Sequence, residues 1–98
     1  MTVIWRPRAE ADLTAQTNWL QSNRGGKAAL NYLAQVNDAI ERISNGALVL
    51  YRLHDVGRNI RCLLINAHTT LYYRPVADDR IEILTLFDTR QNPGKLKL

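Results

Sequence analysis

The chain has 98 residues, 46% of them hydrophobic and 22% charged, which suffices for one domain over residues 1–98 with a single core and leaves nothing for a second. No stretch approaches the roughly 18 uninterrupted apolar residues of a membrane-spanning helix, no signal-peptide pattern opens the chain, and a lone Cys62 excludes an internal disulfide, so a cytoplasmic protein without membrane contact is expected. Thirteen Lys and Arg against nine Asp and Glu give a net charge of +4, a modest field that favours an acidic partner.

Thr2–Trp5 alternates and is β-branched, which predicts a short strand ended by Arg6-Pro7. Proline fits a first helical position, where its missing amide proton has no helical acceptor to lose, so a helix is expected from Pro7. Glu10 and Asp12 suit the positive end of its dipole. Its apolar stripe, Ala9, Leu13 and Leu20 with Trp19 at the flank, is interrupted by Gln16. The glycines after Arg24 break this helix, and a link of about four residues there predicts a helical hairpin. The second helix is the clearest in the chain: Ala29, Tyr32, Leu33, Val36, Ala39, Ile40 and Ile43 recur at helical spacing until Asn45-Gly46 stops them. Ala47 to Gly57 reads as a loop anchored by its leucines.

Three strand-like runs follow, Asn59–Ile65, Thr69–Pro75 and Arg80–Phe87, joined by the turn clusters Asn66-Ala67-His68 and Ala77-Asp78-Asp79. Links this short join antiparallel neighbours. The order β-α-α-β-β-β predicts an α+β fold in which a helical hairpin packs on one face of a small, mostly antiparallel sheet. Strict alternation places Ile60, Cys62, Leu64, Leu71, Tyr73, Ile81, Ile83 and Phe87 on the covered face. Arg61, Leu63, Ile65, Thr70, Tyr72, Arg74, Glu82, Leu84 and Leu86 then fall on the open one. Leucines and isoleucines between cations suit a surface that meets a partner, or a second copy of the chain. The tail Gly94–Leu98 is free to extend, dock or fray.

Catalytic patterns are sparse. His54 and His68 have no cysteine or carboxylate at ligand spacing, so no metal and no cofactor are expected. The paired glycines lack the lysine spacing of a phosphate loop. Ser22 and Ser44 fall at helix ends and serve no nucleophilic triad. Arg61 is the strongest functional candidate, against an ordinary cross-sheet ion pair with Glu82. Arg90 is the next, against a local clamp by Asp88.

Particular residues resemble the RelE/ParE superfamily of type II toxins, the stable halves of bacterial toxin–antitoxin pairs. Trp5-Arg6-Pro7-Arg8-Ala9-Glu10-Ala11-Asp12-Leu13 is similar to its opening strand and helix start. Ile60-Arg61 with Leu71-Tyr72-Tyr73-Arg74 is similar to its central strand pair, and Ile83-Leu84-Thr85-Leu86-Phe87-Asp88-Thr89-Arg90 to its last strand with a terminal arginine. The resemblance covers nearly the whole chain and implies the fold just described.

It also implies one of two activities. RelE-like members cut mRNA on the ribosome with basic groups on the open sheet face, and Arg61, Tyr72 and Arg90 are the residues left to do this here. Leu63 and Thr70 stand where those ribonucleases carry basic groups, and Leu96 falls near their late aromatic residue. ParE-like members bind DNA gyrase and need no catalytic set. The long helical hairpin favours them, although Asp88 replaces a histidine common before their last arginine. The expected function is therefore a ParE-like toxin that arrests growth by binding its target, DNA gyrase, and is neutralised by a cognate antitoxin. The alternative is a ribosome-dependent mRNA endoribonuclease. Arg58, Arg61, Leu63, Ile65, Tyr72, Arg74, Leu84, Leu86 and Arg90 are the residues expected to bind the target or antitoxin, in a homodimer or a toxin–antitoxin hetero-oligomer.

Overall fold

The structure, a computed structural model, describes residues 2–45 and 52–98. Its elements are β1 (Thr2–Trp5), α1 (Pro7–Arg24), α2 (Gly26–Ser44), β2 (Arg52–Asp55), β3 (Ile60–Asn66), β4 (Thr69–Ala77), β5 (Arg80–Asp88) and a single 3-10 turn, Pro93–Lys95. They form one five-stranded sheet in the order β1-β5-β4-β3-β2, with β1 parallel to β5 and every other pair antiparallel. The helical hairpin and meander match the expected fold, with one strand more. Residues 52–55, expected in a loop, pair with β3 as an edge strand, whereas 47–51 lie outside the described residues.

Sequence accounts for the helices. Pro7 opens α1, and the first helical bond runs from the Glu10 amide to the Arg6 carbonyl. Gly25 alone, at φ 92°, joins α1 to α2, so the expected four-residue link shrinks to one residue with the positive φ that glycine tolerates. The core joins Ala9, Tyr32 and Val36 of the helices to Leu71, Tyr73, Ile81, Ile83 and Leu86 of the sheet.

Two faces of the sheet are not those that strict alternation predicts. Residues directly opposite in a ladder share a face. Leu63 lies opposite Leu71 and Leu71 opposite Leu86, so this row faces the helices, as does Arg61 opposite Tyr73. Leu63 and Ile65 pack against the core and Leu86 is 1% exposed, so the open face expected for these three is corrected. Leu84 is buried too, and Leu64, assigned to the core, is 61% exposed.

The causes are local. β3 is apolar at both parities, so its pattern cannot choose a side. β5 has a register irregularity where Tyr72 and Tyr73 face Thr85 and Ile83. There the Thr85 hydroxyl turns to Asp12 on α1 while neighbouring Leu86 enters the core. Such a bulge reverses the alternation that follows, and Phe87 ends opposite Thr70.

The second face is not bare. Cys62, Thr70 and Phe87 lie in rows facing away from the core and are buried. After β5 the Thr89 amide donates to the His68 carbonyl, and nine residues on, Arg58 Nη2 donates to the main-chain oxygen of Leu98 at 2.7 Å. The tail therefore runs from the β3–β4 turn to the β2–β3 turn, the two ends of the sheet. Leu96 and Leu98 on this tail are half-buried.

Candidate functional site

The ribonuclease candidates Arg61, Tyr72 and Arg90 do not converge. Arg61 is half-buried on the helix side, and Tyr72 lies on the opposite face beside Cys62. Arg90 sits past the end of β5. Its guanidinium grips Asp88 through Nε (3.1 Å) and Nη2 (2.9 Å), and its amide donates to the same carboxylate. These hydrogen bonds hold the Asp88 carboxyl below its ordinary pKa and raise that of Arg90. Arg74 donates to Glu82 at 3.0 Å, and Arg6 lies 3.6 Å from the same oxygen, so Arg74 occupies the partnership expected for Arg61. Arg58 is spent on Leu98.

Tyr72 has a ring neighbour in His54, edge-on with centroids 5.0 Å apart. Burial, and to a lesser degree Cys62, raises the Tyr72 pKa, while Arg52 opposes the shift. A general base for attack by a ribose hydroxyl needs a pKa closer to neutrality, so this shift runs the wrong way.

A concavity lies elsewhere. A cleft of about 640 Å3 opens between the second half of α1, the first half of α2, the β3–β4 turn and the exit of β5. Trp19 and Leu20 form its apolar wall, Tyr32 and Thr69 lie deeper, and His68 and Arg90 stand at the far side. It continues past Arg24 and Ala28. Its floor is tied internally: the Tyr32 hydroxyl and the Gln16 side chain hydrogen-bond each other, Gln16 Nε2 donates to the Leu86 carbonyl at 2.8 Å, and Asn66 Nδ2 donates to Gln35 Oε1 at 2.9 Å.

Of these lining residues only Arg90 was a sequence candidate. The signal available was Trp19, a large aromatic at the edge of the α1 stripe, which is 50% exposed.

Burial, reinforced by Asp12 and Asp88 and opposed by a hydrogen bond with Thr69, pushes the Tyr32 pKa up from 10.0 to about 12. A folded-state pKa above the unfolded one means that the neutral phenol stabilises the fold below pH 10, and this contribution is lost as pH rises toward 12. Chemical denaturation at pH 9 and pH 11.5 should show a loss of about 1–2 kcal/mol attributable to Tyr32. Tyr32→Phe should flatten that part of the alkaline decline; an unchanged decline would remove Tyr32 as its source.

Among the described residues no cluster of His, Cys, Asp and Glu fits a metal ion, and no helix is long and apolar enough to cross a membrane. The cleft sets the apolar wall of Trp19 and Leu20 against the paired Asp88 and Arg90, with Arg24 further along.

Comparison with known proteins fits this frame. No curated protein sequence matches the chain. Among solved structures, the chromosomal ParDE toxin–antitoxin system from P. aeruginosa has a chain 21% identical, with a TM-score of 0.70 over 92% of this chain and 97% of that one. The YoeB/ParE toxin from Agrobacterium tumefaciens is 15% identical, with a TM-score of 0.65 over 90% and 98%. A chain of the heterotetrameric YoeB-YefM toxin-antitoxin complex from Staphylococcus aureus is 21% identical, with a TM-score of 0.62 over 89% and 94%. At these identities the likeness concerns the fold. The family model for the ParE toxin of the type II toxin-antitoxin system, parDE, matches residues 3–93, nearly the whole chain, and the chain belongs to that family.

Proposed function

We propose that this chain arrests growth by binding DNA gyrase in the cytoplasm and is neutralised by a cognate antitoxin in a hetero-oligomer. The observation that carries a binding mechanism is the dispersal of the ribonuclease candidates. Arg61, Tyr72 and Arg90 sit on one face, on the other, and beyond the end of the sheet, and Arg90 is already clamped by Asp88. Cleavage by a ribose 2′-hydroxyl needs base, acid and cation around one phosphate, and three groups so separated cannot share one. The antitoxin partner is favoured by the ParDE and YoeB-YefM complexes among the structural relatives.

Pulse-labelling after induction separates the mechanisms. Under the proposal, thymidine incorporation falls before methionine incorporation, and mRNA on ribosomes stays whole. Early loss of protein synthesis with codon-positioned mRNA cuts would refute it. One observation favours the ribonuclease alternative: His54 touches Tyr72 on the sheet face where Arg52 and Arg74 also lie. If that group acted on RNA, His54→Ala would abolish growth arrest; gyrase binding predicts that arrest survives this substitution.

A further inference from the structure

The second face of the sheet holds buried apolar side chains that the helices do not reach. Ile60 is fully buried and Cys62 is 6% exposed, yet both alternate with Arg61 and Leu63 along β3 and so point away from the helices. Phe87, opposite Thr70 on the same face, is buried as well. None of the three belongs to the cluster that joins helices to sheet. Leu96 and Leu98 are half-buried and stand outside that cluster too.

Two hydrogen bonds fix the ends of the tail that carries these leucines. The Thr89 amide holds it at the β3–β4 turn, and Arg58 Nη2, in the β2–β3 turn, holds the main-chain oxygen of Leu98. With β3 seven residues long and β4 lying between it and β5, the direct path from the exit of β5 to the start of β3 is about 25 Å. Nine residues reach at most about 30 Å, which leaves little slack for a detour round the sheet edge. A diagonal over the face that the helices leave open passes Ile60 and Cys62 near the start of β3. It misses Leu64 near the other end of that strand, which is 61% exposed. The far end of the tail is lightly held: residues 91–95 and Arg58 are exposed, so it rests on two half-buried leucines and one hydrogen bond in water.

We propose that residues 96–98 form a strap, latched at Arg58, that closes the second sheet face and opens without unfolding the domain. Closed, it covers Ile60 and Cys62. Open, it bares them beside Tyr72, which lies opposite Cys62, and His54, whose ring meets that of Tyr72. Nothing in this device depends on the identity of the target.

Cys62 is the only cysteine in the chain and reports the state of the strap. The test is the rate at which N-ethylmaleimide, an uncharged reagent, labels the full chain, compared with Arg58→Ala, Leu96→Ser and, as an exposed control on the same tail, Lys97→Gln. When opening and closing are fast, the labelling rate follows the open population. Arg58→Ala and Leu96→Ser should each label about three- to ten-fold faster, the share of one hydrogen bond or of half a leucine's burial. Lys97→Gln should stay within about two-fold of the unaltered chain, and all four melting temperatures should lie close together. In urea the labelling rate should rise less steeply than global unfolding, because a strap uncovers little surface. One common rate for all four chains would overturn the strap, as would labelling that follows the full slope of global unfolding. Equal acceleration in Arg58→Ala and Lys97→Gln, with none in Leu96→Ser, would overturn it too, since lost charge rather than a lost latch would then be the cause.

Discussion

Leu86→Ala is expected to cost about 3 kcal/mol of folding stability, and Leu64→Ala close to nothing. Leu86 is 1% exposed, opposite Leu71 and within the cluster that includes Ala9, Tyr32 and Val36, so truncation removes its transfer energy and leaves a cavity the helices cannot collapse. Leu64 is 61% exposed and loses little. Alternation along the sequence predicts the opposite ranking. The urea midpoint of each variant decides between them, since a change in stability moves the midpoint and leaves the slope alone. About 3 kcal/mol is a large share of the roughly 5–15 kcal/mol of a natural domain, so Leu86→Glu should fail to fold while Leu64→Glu folds.

Asp12→Ala is expected to cost about 2–3 kcal/mol, from hydrogen bonding rather than packing. Both the Thr85 hydroxyl and the Leu86 amide donate to Asp12 Oδ2, and Arg8 Nε approaches its other oxygen at 3.3 Å. Four residues on, Gln16 takes the Leu86 carbonyl. One α1 face therefore satisfies both main-chain groups of Leu86 where the register irregularity disturbs the β4–β5 ladder. Removing the carboxylate strands two donors in a part-buried place, and such groups cost more unpaired than a made bond returns. Asp12→Asn should cost less, because the amide oxygen still accepts. Thr85→Val and Asp12→Ala together should cost clearly less than their sum, since each abolishes the same bond. Additive losses in thermal melts would show that the two side chains do not interact.

Much of the fold was legible because single residues punctuate it. Pro7 and Gly25 delimit α1, and α2 follows the helical period along its length, as Ala29, Tyr32, Val36 and Ala39 bury the face it marks. The polar interruption at Gln16 was visible too. Its meaning was not, because an α1 residue that bonds a strand carbonyl looks, in sequence, like a gap in an apolar stripe.

The sheet faces were half-legible. Leu71, Tyr73, Ile81 and Ile83 were placed in the core correctly, but alternation is blind to an extra residue in a strand, and Leu84, Leu86 and Phe87, beyond Ile83 in β5, were assigned to the wrong side or the wrong degree of exposure. β3 offered apolar residues to both faces, so only its pairing with β4 could orient it. The edge strand at 52–55 escaped because Arg-Leu-His-Asp has neither a β-branched residue nor an apolar alternation. The cleft escaped because its walls come from four separate elements, and no local pattern marks a space between them. Leu63 and Leu86, expected on the open surface, belong to the core instead.

The most direct measurement is DNA supercoiling by purified gyrase in the presence of this chain, run beside translating ribosomes carrying a defined mRNA. A toxin that acts by binding should inhibit supercoiling in a dose-dependent way that added antitoxin reverses, and leave the mRNA intact. Full supercoiling at every dose, with the mRNA cut in the ribosome, would contradict it.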